Sequence, residues 1–266
     1  MGCFMKNVVG FVPAGGKGMR MKPFKLMKEL LPVMIDNENQ ETEVSLLIEN
    51  AVNVLHKGGI KNVVCTVNHD KEILVKILSD MGADYSDMKM AFVYQRDLDN
   101  LYGLPLAIAA AEPFLRGHSV CMKFPDTIIY PLNCFDELYA FHCEKKSDLT
   151  LGVFPTNNAR NLGPVVIGPD NKVERLEDKP ENPSADNTWN VLIWEDSFLD
   201  LLMSEVESYR NDDIARKKEL KIYDIMLKAI EEKLSVNAYL FESGKCIDIS
   251  CIQDARVHWN HQSSSK

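Results

Sequence analysis

The sequence predicts an α/β fold, with a mixed but mostly parallel sheet flanked by helices. Two observations carry that prediction. Strand-like and helix-like segments alternate through the first two thirds of the chain, as strands joined by crossover helices require. The first strand, Val8–Pro13, is an uninterrupted apolar run, which fits a strand covered on both faces. The chain has 266 residues, 45% apolar and 26% charged, so it has the composition of an ordinary globular protein. A chain of this size buries about 70–75% of its unfolded surface and needs no disulfide or metal staple.

Each element has its own signal. Residues 43–55 place Val44, Leu47, Ile48, Ala51, Val52 and Leu55 on one helical face. Asn62–Val67 reads as the next strand, and Ile73, Leu74, Ile77 and Leu78 mark a second helix. A strand at 90–94, an alanine-rich helix over Leu104–Leu115 and a strand at 119–124 follow. A helix at 135–145 and a strand at 149–154 complete the alternation. After Pro155 the pattern changes. Short strands (Val165–Ile167, Val173–Leu176 and 189–194) are separated by polar turns such as Pro169-Asp170-Asn171. Helices at 197–209 and 220–233 enclose a charged loop, 209–218. Strands at 235–241 and 245–249 lead into a short helix, and a polar tail follows from His258. No repeat or linker divides the chain. Residues 1–266 therefore read as one domain, with parts 1–154 and 155–256 and a loose tail, 257–266.

Composition narrows the function. The net charge is −9, whereas a general nucleic-acid binder usually carries a basic excess. No apolar run reaches the roughly 18 residues of a membrane span. The stretch Val8 to Ala14 is short and continues into a strand, which argues against a signal peptide. Met1-Gly2-Cys3 lacks the Ser or Thr that a myristoylation site wants at position 6, where Lys6 stands. Seven cysteines, an odd number with no CxxC pair, read as free thiols of a reducing compartment, so a cytoplasmic location is expected. The histidines are scattered, with neither zinc spacing nor a Ser-His-Asp arrangement.

The first strand runs into Ala14-Gly15-Gly16-Lys17-Gly18-Met19-Arg20. Three glycines in four residues after a buried strand allow main-chain N–H groups to approach a phosphate closely. The spacing is neither a Walker loop nor a dinucleotide fingerprint. A glycine-rich turn alone is as readily a tight strand-to-helix connection. The stretch from Ala14 to Val33, however, reads AGGKGMRMKPFKLMKELLPV. It resembles the signature LAGGxGTRLxPxTxxxPKxLLPV of the sugar-1-phosphate nucleotidylyltransferases. Gly15, Gly16, Gly18, Arg20, Pro23, Lys28, Leu30, Leu31, Pro32 and Val33 match. Met19 replaces the usual Thr, and the segment between Arg20 and Lys28 is shorter than in the family.

The resemblance extends over nearly the whole chain and implies a nucleotidyltransferase fold, a Rossmann-like sheet with a smaller sugar-binding subregion. It implies that Ala14, Gly15, Gly16 and Gly18 bind the nucleotide, and that Arg20 and Lys28 neutralise phosphate charge, for which an arginine fork is well suited. Gln95 and Gly103-Leu104 resemble the Gln-x3–4-Gly-Leu element that reads a pyrimidine base, with a longer spacer. A glutamine amide offers the donor and acceptor that thymine or uracil needs. Pro125-Asp126-Thr127 resembles Gly-Asp-Asn, whose Asp binds magnesium. The segment from Gly244 through Asp248 to Ser250 resembles GxxWxDxGT and its second metal-binding Asp. Asp126 and Asp248 are thus the implied Mg2+ ligands.

On the sugar side, Leu162-Gly163 resembles Tyr-Gly, and Glu177-Asp178-Lys179-Pro180 resembles Glu-Glu-Lys-Pro. Lys217 falls on a phosphate-binding Arg, and Leu192 on the glycine of Asn-Thr-Gly-Ile-Tyr. Gly163, Asp178, Lys179, Leu192 and Lys217 are therefore the implied sugar-phosphate residues. Leu192 is expected to crowd that pocket and make glucose 1-phosphate a poor substrate. The Glu-Leu-x-Ile-x-Asp element at 219–224 points to the glucose-1-phosphate thymidylyltransferase branch. The implied reaction joins a nucleoside triphosphate, dTTP or UTP, to a hexose 1-phosphate and releases pyrophosphate. Family members commonly form dimers or tetramers, which makes a homo-oligomer the implied assembly. The alternatives are a uridylyltransferase and a non-catalytic homologue that binds the same ligands. Met19, Pro125, Leu192 and Ser250 favour the latter, and Arg20, Lys28, Asp126 and Asp248 oppose it.

Overall fold

The computed structural model describes residues 7–16, 27–36, 42–81, 85–96, 101–249 and 259. Strand β1 (Val8–Pro13) precedes an antiparallel pair, β2 (Pro32–Asp36) and β3 (Thr42–Leu46), and helix α1 (Leu47–Lys57). Then come β4 (Asn62–Val67), α2 (Glu72–Asp80), β5 (Lys89–Tyr94), α3 (Leu104–Leu115) and β6 (Ser119–Lys123). They are followed by β7 (Thr127–Tyr130), α4 (Cys134–Lys145), β8 (Leu149–Pro155), β9 (Val165–Ile167) and β10 (Val173–Leu176). The chain continues through β11 (Asn187–Trp194), α5 (Asp196–Asn211), α6 (Ile222–Glu231), β12 (Val236–Leu240) and β13 (Lys245–Asp248).

The main sheet has seven strands in the order β12-β8-β11-β6-β1-β4-β5. Neighbours β6, β1, β4 and β5 are parallel, and so are β12 and β8. Only β11 is reversed, pairing antiparallel with both β6 and β8. Its amino-terminal half therefore meets the edge where β6 and β1 end. That is the edge where ligands of parallel sheets bind. Two small antiparallel pairs, β9 with β10 and β7 with β13, build out the same region.

Period-two alternation divides the core. Val9 and Phe11 of β1 pack with α3, α5 and α6 on one face, while Val8 and Val12 pack with α1, α2 and α4 on the other. Burying each such apolar side chain contributes roughly 1.5–3 kcal/mol. A third cluster joins Leu31, Val33 and Ile35 to Leu47, Ile128 and Ile249, so β2 is tied to the end of β13. Burial pushes the thiols of Cys65, Cys134 and Cys246 up to about 12, which leaves them protonated and inert. Among the described residues no helix is long and apolar enough to cross a membrane.

The mixed sheet flanked by helices is as the sequence predicts, and three local readings are corrected. Residues 43–55 are not one helix, because 42–46 pair with β2 and the helix begins at Leu47. Glu49 reaches back to accept from the Leu46 N–H at 2.7 Å and caps that start, leaving Val44 73% exposed. Strands β2 and β7 carried too little periodicity to be read. The loop expected at 209–218 is partly ordered, since α5 runs to Asn211 and a 3-10 turn spans Ala215–Lys217. The helix expected after 249 and the tail lie outside the described residues, apart from Trp259, whose indole N–H donates to Pro32 O at 2.8 Å.

Candidate active site

The glycine loop leaves β1 at Pro13, with Ala14 N–H held by Thr66 O at 2.9 Å. Two side chains from the end of β4 secure its carbonyls. Lys71 Nζ donates to Ala14 O at 2.8 Å and Asn68 Nδ2 to Gly15 O at 2.9 Å. Lys71 also pairs with Glu29 at 2.5 Å, both side chains being buried, which links the loop to the Lys28-Glu29-Leu30 turn. Gln95, just beyond β5, lays its Oε1 over Gly15, where any Cβ would come within 2.6 Å of it. Gly16 is exposed with open space around its α-carbon. Gly18 and Arg20 lie outside the described residues.

The carboxylates converge through strand pairing. β13 pairs with β7 so that Asp248 stands opposite Thr127, and Ile249 N–H donates to Asp126 O at 3.0 Å. Lys28 Nζ pairs with Asp126 Oδ2, which places a cation from the glycine-loop side on the carboxylate from the end of β6. Burial pushes the Asp126 carboxyl upward, but the ammonium groups of Lys28 and Lys123 outweigh it and hold the group below the usual carboxylate range. Asp126 is thus an anion at neutral pH.

Asp126 and Asp248 both line a cleft of about 680 Å³. Gly163, Asp178, Lys179, Thr127, Trp189 and Asn190 line it as well. Trp189 covers Gly163 and tilts against Phe124 with ring centroids 5.7 Å apart. Asp178 pairs with Lys221 at 2.6 Å. Glu177 accepts from Ser184 N–H at 2.9 Å and from its hydroxyl at 2.8 Å, and also pairs with Arg175. Those bonds hold its carboxyl below the usual range and make it the anchor of the 177–184 turn.

Lys28, Asp126 and Asp248 are therefore brought together, and Gly163, Asp178 and Lys179 line the same cleft. Gln95 lines a separate cavity of about 240 Å³ together with Arg96, Leu106 and Arg210. Gly103 has φ +135°, a conformation that favours glycine, and lies against the backbone of Leu220, whose N–H donates to Tyr102 O at 3.1 Å. Leu192 does not line the cleft. It is fully buried, registered between Met122 and Leu151, and part of the core under α5, which corrects the expectation that it crowds a sugar. Lys217 is exposed outside the cleft, and Lys221, four residues on, is the lysine that reaches Asp178.

Sequence reading passed over Lys71, Lys123, Trp189 and Lys221. Lys123 did leave a signal, as the single charge in the apolar run Val120-Cys121-Met122-Lys123-Phe124. The other three carry their meaning only through partners distant in sequence.

Comparison with known proteins bears on the family and the fold. The chain is 25% identical over 253 residues to the bifunctional protein GlmU of Methanococcus aeolicus, covering 91% of this chain and 52% of that protein. It is 25% identical over 230 residues to a mannose-1-phosphate guanyltransferase of Debaryomyces hansenii, covering 81% and 58%. The chain thus spans a little over half the length of these relatives. A solved UDP-glucose pyrophosphorylase complexed with UDP-glucose superposes with TM-score 0.75 at 16% identity, over 98% of this chain and all of that one. A structure assigned as a glucose-1-phosphate thymidylyltransferase from Bacillus anthracis gives 0.71 at 18%, over 94% and 93%. These likenesses establish the shared fold. The family model described as nucleotidyl transferase matches residues 9–259, and the chain belongs to that family.

Proposed function

We propose that this chain joins a nucleoside triphosphate to a sugar 1-phosphate and releases pyrophosphate. The observation that carries the reading is that Asp126, paired with Lys28, and Asp248 line one cleft together with hydroxyl, amide, carboxylate and aromatic groups. The hydroxyl, amide and aromatic groups suit a polyhydroxylated ring, and the carboxylates with their lysine suit a metal ion and phosphate charge. A phosphate oxygen of the sugar 1-phosphate attacks the α-phosphorus in line. The bond from that phosphorus to the bridging oxygen breaks, and pyrophosphate leaves with the electron pair. This chain's share is positioning and charge neutralisation, by Lys28 and Lys179 and, from the family resemblance, Arg20.

The donor set fits magnesium. Asp126 and Asp248 supply hard oxygens from adjoining strands, and Mg2+ is ordinarily held by one or two carboxylates with phosphates and waters completing its shell. When bound, the ion offsets the negative charge of the phosphates.

We place the base against Gln95 and Gly15, which supports dTTP or UTP as the triphosphate, and a hexose in the cleft beside Asp178 and Trp189. The relatives' names cover guanyl and adenylyl transfer as well, so Gln95 alone carries the pyrimidine assignment. Pyrophosphate release measured over a panel of triphosphates and sugar 1-phosphates tests the reading. The expected result is Mg2+-dependent turnover with a thymidine or uridine nucleotide. Purine preference would overturn the base assignment, and ligand binding without pyrophosphate release would make the chain a binding homologue.

A further inference from the structure

Lys123 ends β6, three residues before Asp126, and is 0% exposed. Its ammonium has three donors, and three acceptors meet it at 2.7 Å each: Phe124 O, Thr127 O and Thr127 Oγ1. The carbonyls on either side of Pro125-Asp126 therefore close on one cation. Proline brings no N–H of its own to brace this turn. Ile249 N–H, just after β13, holds Asp126 O at 3.0 Å. Thr127 Oγ1, accepting from Lys123, donates in turn to Asn190 Oδ1 at 2.9 Å, and Asn190 lines the cleft. All three donors are used and none faces solvent, so Lys123 has no free N–H for a substrate.

We infer that Lys123 is the positioning residue of the carboxylate turn, fixing residues 124–127 from beneath so that Asp126 and Thr127 face the cleft beside Asp248. The inference rests on the reading of Asp126 and Asp248 as a metal-binding pair. It distinguishes two roles for a buried cation. A lysine acting only through its charge would repel a divalent ion, and its removal would tighten metal binding. A lysine that positions the turn would, when removed, loosen metal binding although a positive charge has gone.

The test is Mn2+ affinity measured by electron paramagnetic resonance on the full chain, as wild type, Asp126→Asn and Lys123→Met. Folding is checked by near-UV circular dichroism. Lys123→Met is expected to weaken Mn2+ by about ten-fold, the usual scale for residues supporting metal ligands, and to lower kcat while leaving both KM values within about three-fold. Thr127→Val, which removes one acceptor, is expected to weaken Mn2+ in the same direction, and Thr127→Ser, which keeps it, to match wild type. Unchanged or tighter Mn2+ binding in folded Lys123→Met overturns the inference. If that variant does not fold, the same result in Thr127→Val overturns it. Loss of Mn2+ in Asp126→Asn alone would leave the metal pair standing without Lys123. A wild-type chain that binds no Mn2+ would overturn the metal pair and the inference together.

Discussion

Lys71 and Lys123 are both buried beneath loops that carry candidate site residues, yet their surroundings differ. Lys71 lies under the glycine loop with one carbonyl and its own carboxylate, Glu29. Lys123 lies under the carboxylate turn with two carbonyls and a hydroxyl, all neutral. The first is a closed ion pair whose charges cancel locally. The second is a cation without a contact anion, and burial pushes it down to about 8, with Asp126 and Asp248 among the nearby groups that oppose the fall. The contrast shows two ways to brace a loop. A pair adds fixed geometry without net charge, whereas a lone ammonium also couples its loop to pH and to the carboxylates above it.

Breaking the closed pair should give the largest effect. Lys71→Met leaves Glu29 buried alone, and removing one partner of a buried pair costs about 3–5 kcal/mol. The double variant Lys71→Met/Glu29→Leu is expected to recover most of that loss in urea unfolding, because no orphan charge remains. A double variant as unstable as the single one would show that the pair is not the source.

Next comes Asp126→Asn, which keeps the shape of the carboxylate turn but loses its charge and the ion pair with Lys28. A lost metal ligand should lower kcat by about a hundred- to a thousand-fold, and the orphaned Lys28 should lower the thermal midpoint while the native fold is kept. A near-normal rate would remove Asp126 from the mechanism.

The lone ammonium should show itself in pH. Its folded value of about 8 lies below the ordinary 10.5, so between these values the unfolded chain binds more protons at this site. Stability from this group therefore rises with pH across that window, and the penalty is present in full below about 8. The stability of wild type relative to Lys123→Met should increase by about 2 kcal/mol between pH 7.5 and 10. A difference flat with pH would mean that burial leaves the proton affinity of Lys123 the same in the folded and the unfolded chain.

The smallest effect concerns the sugar side. Lys221→Ala should raise KM for the sugar 1-phosphate by about three-fold, since a half-exposed pair such as Lys221–Asp178 contributes at most about 1 kcal/mol. Lys217→Ala should leave it unchanged, and the reverse ranking would return the role to Lys217.

Much of the fold is legible in the sequence. β1, β4, β9, β10 and α3 have the limits that local apolar periodicity set for them. β2 and β7 escaped because each is stabilised by a partner far away or by a side-chain cluster, not by its own pattern. The boundary at Leu46 escaped because pairing with β2 outweighs the helical stripe that runs through Val44. In the site, motif residues such as Lys28, Asp126, Asp178 and Asp248 were readable as chemistry, since their types and order match a known pattern.

What the sequence by itself determined is the family, the sheet with its helices, and the acids and bases at the ends of strands. These depend on residue type at fixed spacing, which a linear string carries. What only the tertiary structure decided is which side chain faces which. Leu192 sits two residues from the cleft-lining Asn190, yet the register of β11 against β6 and β8 sends it into the core. Lys221 reaches Asp178 in place of Lys217, and Lys123 gathers the carbonyls that flank Asp126. Those outcomes follow from strand register and long-range contact, and no local spacing encodes them.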